Sequence, residues 1–193
     1  MSIGFLFNTM YNVVDSFYAG QISTQALAAM AISFPVFFII IALSEGVARG
    51  ASALIANALG AQDDDKAKAY SGQVFSLGLL LSGVIAFTGL ISSTALFEAL
   101  GASGTYLDLA KAYISPLFWG AAFFLLSSLS NAILLAHGDS KTFGQVLVAG
   151  FFANLVLNPW FLYGGLGLAP MGIAGIAWAT VVIQAVGGAF LFF

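Results

Sequence analysis

The sequence predicts an all-α membrane protein, a bundle of six transmembrane helices. Of its 193 residues 61% are hydrophobic, and its charged residues are five Lys or Arg and eight Asp or Glu, 7% of the chain. A soluble domain carries about 25% charged residues, so this chain lacks the polar surface that folding in water requires. Aromatic residues make up 15% of the chain, which excludes a disordered protein, because disordered segments contain few of them.

Four stretches without Asp, Glu, Lys or Arg place the predicted helices. They are residues 16–44, 69–97, 112–138 and 142–193. A helix needs about 20 apolar residues, each rising 1.5 Å, to cross about 30 Å of hydrocarbon, so the last stretch is long enough for two spans. These stretches are longer than the strands of a transmembrane barrel and lack their alternation of apolar and polar residues.

Turn-forming residues divide these stretches into helices. Residues 19–24 separate the first helix from the second, and the Gly-rich segment 164–170 separates the fifth from the sixth. The predicted helices cover residues 2–19, 25–58, 70–94, 106–135, 142–163 and 171–193. Together they form a single transmembrane lobe over residues 1–193. The last helix has no stop signal before Phe193, which predicts that it continues further.

Basic residues predict the orientation of the helices. Loops rich in Lys and Arg lie in the cytoplasm. Four basic residues, Arg49, Lys66, Lys68 and Lys141, belong to one side of the predicted bundle, and Lys111 belongs to the other. We therefore expect a multi-pass protein of the plasma (inner) membrane with both termini in the cytoplasm.

The composition also excludes several kinds of site. A net charge of -3 without a basic cluster provides no surface for nucleic acid. The absence of Cys excludes disulfides, thiolate metal sites and a Cys nucleophile, and the single His excludes a site with two imidazoles. We expect no metal, no cofactor and no catalytic residue.

One pattern is typical of an enzyme. Residues 101–104 match the GxSG motif of rhomboid intramembrane serine proteases, and residues 136–138 resemble their histidine motif. A Ser–His dyad requires hydrogen-bond contact. Ser103 and His137 lie before and after the predicted fourth helix, roughly 45 Å apart along its axis. The sequence therefore argues against a protease.

Asp15 is the carboxylate that falls within a polar face of a predicted span. Asn8, Tyr11, Asn12 and Asp15 are spaced at i, i+3, i+4 and i+7, which is one face of a helix. A charged Asp costs about 3 kcal/mol at the centre of a span and less near its end, and it usually faces a bundle interior or a water-filled cavity. The polar face favours a functional carboxylate. The alternative is that Asp15 caps the helix end near the headgroups.

Two carboxamides form a second polar cluster. Asn154 and Asn158 are spaced at i, i+4, and Pro159 follows directly, leaving the carbonyl of Leu155 without its helical partner. These oxygens suit a cation or a proton network, and they equally suit hydrogen bonds between helices. Counted from the nearest turns, Asp15 and Asn158 both lie roughly 7 to 9 Å below the same surface. The two clusters could therefore meet in one pocket.

Glu45 and Arg49 form a charged pair near the inner end of the second helix. Their i, i+4 spacing lets the two charges partly neutralise each other. They are candidates for lining a cavity or an inner gate. The favoured interpretation is an interfacial pair, with the Arg49 side chain reaching towards the headgroups.

Five segments resemble the multidrug and toxic compound extrusion (MATE) transporters, part of a superfamily that includes lipid and oligosaccharide flippases. YNVVDSFYAG (residues 11–20) and ALAA (26–29) are similar to the first hairpin of the family. SALIANALGA (52–61) is similar to the end of its second helix. NLVLNP (154–159) and GIAGIAWAT (172–180) are similar to its fifth and sixth helices. The matches follow the order of the family over nearly the whole chain.

The resemblance implies two six-helix lobes, of which this chain is similar to the N-terminal one, with the C-terminal lobe absent. It implies an antiporter in which H⁺ or Na⁺ enters as a drug-like, often cationic, substrate leaves. Asp15 would be the cation site, and Tyr11, Asn154, Asn158 and Thr180 would belong to its network. Relatives often carry Asp at the position of Asn158. A site with one carboxylate is weaker for Na⁺ than for a proton.

Two other hypotheses stay open. A lipid or oligosaccharide flippase relative would favour a cationic cavity, for which Arg49 is the one basic residue within the predicted spans. The chain could also be a half-size protein that associates with itself, or a nonfunctional fragment. The expected partners are a drug or organic cation, the lipid bilayer, and either the missing C-terminal lobe or a second copy.

Overall fold

Helices account for nearly all of the protein. The computed structural model describes the backbone of residues 2–165 and 167–192, and the side chains of residues 7, 9–165 and 167–192. The helices, numbered in chain order, are α1 (Ser2–Ile22), α2 (Thr24–Gly60), α3 (Asp64–Ala99), α4 (Gly104–Trp119), α5 (Ala121–Ala136), α6 (Thr142–Tyr163) and α7 (Ile173–Phe192).

Most of these helices are suited to a membrane. Within the described residues, α2, α3, α6 and α7 are each long and apolar enough to cross a bilayer, and the bent pair α4–α5 makes a fifth candidate. α1 has 21 residues, but polar residues such as Asn12 and Asp15 lower its hydropathy. Large apolar side chains point outwards: Leu80 is 71% exposed and Phe87 is 68% exposed. Such an exterior suits lipid better than water.

The predicted helix 106–135 consists of two helices, so the structure has seven helices among its described residues where the sequence predicted six. α4 and α5 meet at Gly120 with a bend of 47°. Pro116 has no amide hydrogen to donate to the carbonyl of Ala112. A Cβ on Gly120 would lie 2.5 Å from Cγ2 of Val181. The bend and the missing side chain together let α7 pack directly against the junction.

Polar side chains explain where two other helices begin. Ser23 caps α2, because its Oγ accepts a hydrogen bond from the amide of Ala26 at 3.0 Å. α3 begins earlier than the predicted start at residue 70. There the side chain of Asp63 accepts from the amide of Lys66 at 3.0 Å, and two further Asp residues occupy the first turn. Acidic residues stabilise a helix N-terminus.

The start of α6 is held by Asp139 in the preceding loop. Oδ1 of Asp139 accepts from the amides of Lys141 (2.9 Å) and Thr142 (3.0 Å), and Oδ2 accepts from the hydroxyl of Thr142. The hydroxyl of Thr142, followed by these two amides, holds the pKa of Asp139 below its ordinary value. The ionised carboxylate is therefore the form that stabilises this helix start.

The main core lies between α2, α4, α5 and α7. Ile114, Leu125 and Ile176 are fully buried there. α6 packs along α7 at one side of this core, and α1 contacts α6, α2 and α7. The chain thereby brings its first helix beside its last two.

Candidate functional site

Asp15 lies inside the bundle. Its side chain is 5% exposed, whereas those of Val13 and Phe17 are 62% and 61% exposed. Residues two apart on a helix point to nearly opposite sides, so α1 turns one face outwards and the Asp15 face inwards. α1 continues to Ile22, which places Asp15 well before the helix end. The helix-cap alternative does not describe this position.

Side chains from two other helices hydrogen-bond to the Asp15 carboxylate. Oδ1 accepts from Nδ2 of Asn154 at 3.1 Å and from Nδ2 of Asn158 at 2.7 Å, and Oδ2 accepts from the Thr180 hydroxyl at 3.3 Å. Nδ2 of Asn158 also donates to Oδ1 of Asn154 at 3.2 Å. The structure thus brings four of the predicted site residues together, from α1, α6 and α7.

The cluster contains a negative charge and an unused acceptor. All three groups that donate to Asp15 are neutral amides or hydroxyls. Among the described side chains, Oδ1 of Asn158 is the buried polar atom that lacks a hydrogen-bond partner. A buried carboxylate without a positive partner is costly, and so is an unpaired buried acceptor. A bound cation would relieve both costs.

A cavity of about 110 Å³ adjoins Asp15. Many of its lining residues are aromatic, namely Tyr11, Phe34, Phe37, Phe38, Tyr113 and Phe124. The faces of aromatic rings attract cations, so this lining suits a positive ligand. Pockets that hold drug-sized molecules have volumes of roughly 300–1,000 Å³, so this cavity is large enough for an ion with water but too small for such a molecule.

Tyr11 reaches the same cavity one turn before Asp15. Its hydroxyl donates to the carbonyl of Leu147 at 3.4 Å. Close packing with Gly150 makes this position possible, because a Cβ there would collide with the Tyr11 hydroxyl. Tyr11 therefore lines the cavity and bonds to α6, without a direct bond to Asp15. The side chain of Asn8, the first member of the predicted polar face, lies outside the described residues.

Two polar lining residues were missed by the sequence analysis. Gln184 lies one turn after Thr180 on α7, and Tyr113 is 5% exposed on α4. The i, i+4 spacing of Thr180 and Gln184 was a usable signal for Gln184. Tyr113 lies between Ala112 and Ile114, and its sequence context carries no sign of its contact with the cavity.

Glu45 and Arg49 lie elsewhere. They line a different cavity, between α2 and α5, together with Asn131. Glu45 is half-buried and Arg49 is exposed. Within the described part of the chain no ion pair joins them. The pair therefore does not contribute to the cavity beside Asp15.

The residues of the protease pattern are far apart. Ser103 precedes the first residue of α4 and His137 follows the last residue of α5, so they lie at opposite ends of the α4–α5 pair. Both side chains are exposed. Over residues 2–165 and 167–192, no group of three or more Asp, Glu or His side chains is arranged to hold a metal ion.

Comparison with known proteins gives consistent matches. The family model MatE matches residues 1–160. The chain is 31% identical over 161 residues to the probable multidrug resistance protein YoeA of Bacillus subtilis, covering 83% of this chain and 35% of that protein. It is 29% identical to the FAD transporter of Shewanella oneidensis, covering 93% of this chain and 40% of the relative.

The solved structures agree with the sequences. An outward-facing multidrug resistance MATE family transporter superposes with a TM-score of 0.90 at 34% identity, over 99% of this chain and 42% of that one. A MOP superfamily transporter from Pyrococcus furiosus, described as having a binding pocket of reversed polarity, superposes with a TM-score of 0.89 at 34% identity, over 98% and 41%. The chain spans about two fifths of the length of the proteins it matches.

Proposed function

Because the chain belongs to the MatE family, whose members are multi-pass membrane transporters rather than enzymes, we propose that it is the N-terminal half of a cation-coupled antiporter that exports drug-like or organic-cation substrates. The family resemblance of the sequence is thereby confirmed. The observation that carries the proposal is the buried Asp15 carboxylate, which has neutral hydrogen-bond donors and an aromatic cavity beside it.

In this proposal Asp15 binds the coupling ion, H⁺ or Na⁺. Binding neutralises the carboxylate and changes what Asn154 and Asn158 donate to. Pro159, directly after Asn158, and Pro35 within α2 interrupt the backbone hydrogen bonds of their helices, which gives each helix a place to bend. The ion and the substrate favour different arrangements of the helices, so each lowers the affinity for the other, and the result is antiport.

The chemistry of the site supports a cationic substrate. The carboxylate and the ring faces around it attract positive charge. The cavity is too small for a drug-sized molecule, so the substrate would occupy a larger space completed by the C-terminal lobe or a second copy of this chain. Both termini would lie in the cytoplasm and the helices in the plasma (inner) membrane.

Transport in proteoliposomes tests the proposal. The 193-residue chain, and a longer protein that contains it, are reconstituted, and the movement of a fluorescent organic cation is followed under a H⁺ gradient, a Na⁺ gradient or none. Asp15→Asn is expected to abolish gradient-driven transport at normal reconstitution. Asp108→Asn, an exposed carboxylate on α4, serves as the matched control and should transport normally. Wild-type transport by Asp15→Asn would remove Asp15 from the mechanism.

The name of one relative provides a second substrate test. The Shewanella relative is called an FAD transporter, and FAD is an anion. The charge beside the Asp15 cavity disfavours an anion, so we expect no gradient-driven FAD transport. FAD transport without organic-cation transport would overturn the substrate class while leaving the transporter role in place.

A further inference from the structure

A second cavity, of about 350 Å³, lies between α2 and α5 and is lined by Glu45, Arg49 and Asn131 together with mostly small or apolar side chains. Its volume falls within the roughly 300–1,000 Å³ of pockets that hold small organic molecules. Within the described residues, Glu45 and Arg49 form no ion pair with each other. Both charges are therefore available to a ligand in the cavity.

The two helices that form this cavity run in the same direction. Ala48 on α2 and Leu129 on α5 belong to one buried cluster. Ile55 and Ile133, each further along its own helix, belong to the next cluster. Both helices therefore approach the same membrane surface, which is the one near which α5 ends at Ala136.

A ring contact higher in the bundle fixes the depth of each polar group. The rings of Phe37 on α2 and Phe124 on α5 have centroids 5.2 Å apart. Glu45 follows Phe37 by about 12 Å along α2, and Asn131 follows Phe124 by about 11 Å along α5. Glu45 and Asn131 therefore lie at one depth. Arg49 lies about 6 Å closer to the surface.

The cavity opens on the side of Arg49. Glu45 and Asn131 are half-buried, whereas Arg49 and Ala53, further along α2, are exposed. A molecule that enters from the water at this surface meets Arg49 first and Glu45 last. The deepest charge in the cavity is thus negative, and the outer charge is positive.

The two ends of the cavity offer opposite kinds of hydrogen-bonding group. At the deep end, the carboxylate of Glu45 accepts hydrogen bonds and the carboxamide of Asn131 adds an oxygen acceptor. At the outer end, the guanidinium of Arg49 and the hydroxyl of Ser52 can donate. Ammonium groups need acceptors, and a guanidinium binds a carboxylate with two parallel hydrogen bonds. Side chains at i, i+4 have Cβ atoms about 5–6 Å apart, so both charges can be reached by one short ligand.

We propose that this cavity binds a small zwitterion that enters with its ammonium group first. The ammonium group binds to Glu45 and Asn131, and the carboxylate of the ligand binds to Arg49 and Ser52. The apolar linker between them lies against Ala48 and the neighbouring alanines. A zwitterion neutralises both charges of the cavity and brings no net charge into the membrane. This site goes beyond the ion coupling proposed above and does not depend on it.

Binding of tritiated δ-aminovalerate to the immobilised 193-residue chain tests the proposal. The ammonium and carboxylate of this probe lie about one helical turn, roughly 5–6 Å, apart when it is extended. We expect saturable binding. β-Alanine, whose charges are too close together to reach both ends, should compete weakly. Pentylamine and valerate carry one charge each and should bind about tenfold more weakly, since each lacks one charge-assisted contact.

Two substitutions assign the ends of the ligand. Glu45→Gln should lower the affinity for δ-aminovalerate about tenfold, because the ammonium group loses its charged partner. The same variant should bind valerate as well as the wild type or better, since a carboxylate no longer repels it. Arg49→Gln should lower the affinity for both δ-aminovalerate and valerate about tenfold.

Matched controls make the same charge changes at exposed positions of α3. They are Glu98→Gln and Lys68→Gln, and both should bind δ-aminovalerate like the wild type. Thermal unfolding of each variant checks that it is folded.

Several results would overturn the proposal. They are the absence of saturable δ-aminovalerate binding to the wild type, unchanged affinity in folded Glu45→Gln or Arg49→Gln, and an equal loss in either control variant. If pentylamine binds as tightly as δ-aminovalerate, the cavity is a site for simple cations and the assignment to a zwitterion is wrong. Because these experiments measure binding and not transport, none of these results bears on the role proposed for Asp15.

Discussion

Replacing Asp15 by Asn or by Leu separates the two roles that the carboxylate can have. Asn keeps one oxygen acceptor for Asn154 and Asn158 and offers an amide to the Thr180 hydroxyl, while it removes the buried charge. Leu has a similar volume and removes both acceptors. If the hydrogen bonds of this cluster hold α1 against α6 and α7, Asp15→Asn should be as stable as the wild type or more stable, and Asp15→Leu should be less stable.

The structure gives the size of the expected loss. In Asp15→Leu, Nδ2 of Asn158 keeps Oδ1 of Asn154 as acceptor, and the hydroxyl of Thr180 keeps the carbonyl of Ile176. Nδ2 of Asn154 loses its acceptor. One buried unpaired donor costs about 1–3 kcal/mol. Two lost bonds between helices add about 0.6 kcal/mol each. The free energy of unfolding should therefore fall by about 2–4 kcal/mol.

Thermal unfolding in one detergent, followed by circular dichroism, measures this difference. The comparison of Leu with Asn at the same position controls for the loss of charge. Equal unfolding midpoints for the two variants would refute the reasoning, because the carboxamides could then not depend on an acceptor at residue 15. A midpoint for Asp15→Asn far below the wild type would show that the charge itself stabilises the fold.

Further predictions concern packing and the start of α6. Gly150→Ala should displace the Tyr11 hydroxyl, slow cation-coupled transport and lower the free energy of unfolding by about 1–3 kcal/mol through overpacking. Gly144→Ala, with open space around it, should raise the free energy of unfolding by up to about 1 kcal/mol. Equal thermal unfolding midpoints for the two variants would contradict both expectations. Gly175→Ala should lower the free energy of unfolding by about 1–3 kcal/mol or more, because its Cβ would lie 2.7 Å from backbone atoms of α6. An unfolding midpoint equal to that of Gly144→Ala would contradict this. The lowered pKa of Asp139 means that its stabilisation is present above the ordinary Asp pKa and is lost as the pH falls through the lowered value. The unfolding midpoint of the wild type should therefore approach that of Asp139→Asn at acid pH, and a difference independent of pH would refute this.

Charge placement predicted the membrane architecture because lipid excludes charge from each span. The same signal does not register a bend, since both sides of Gly120 are equally apolar. At Gly120 a side chain would collide with Val181, which lies far along the chain. Pro116 is a local sign of the bend in the sequence, whereas the contact between α7 and Gly120 is seen only in the packed structure.

The candidate site was predicted in part. The i, i+4 pair Asn154 and Asn158 and the matching depth of Asp15 are local features, and they suggested a shared pocket. Thr180 came from the family resemblance, whereas its i, i+4 spacing with Gln184 on the otherwise apolar α7 was a local sign that was not used. Tyr113 was missed because its place beside the Asp15 cavity depends on how α4 packs against α2 and α7.

The partners of Asp15 are made long after it. Between Asp15 and Asn154 the sequence separation is 139 residues, and at about 5–20 residues per second of synthesis roughly 7 to 28 s pass before that amide exists. During this interval α1 must enter the bilayer with a carboxylate that has none of its three donors. The insertion of α1 is therefore expected to become stable only after α6 and α7 have been synthesised and inserted. Until then, the cell needs a means of keeping α1 in the membrane.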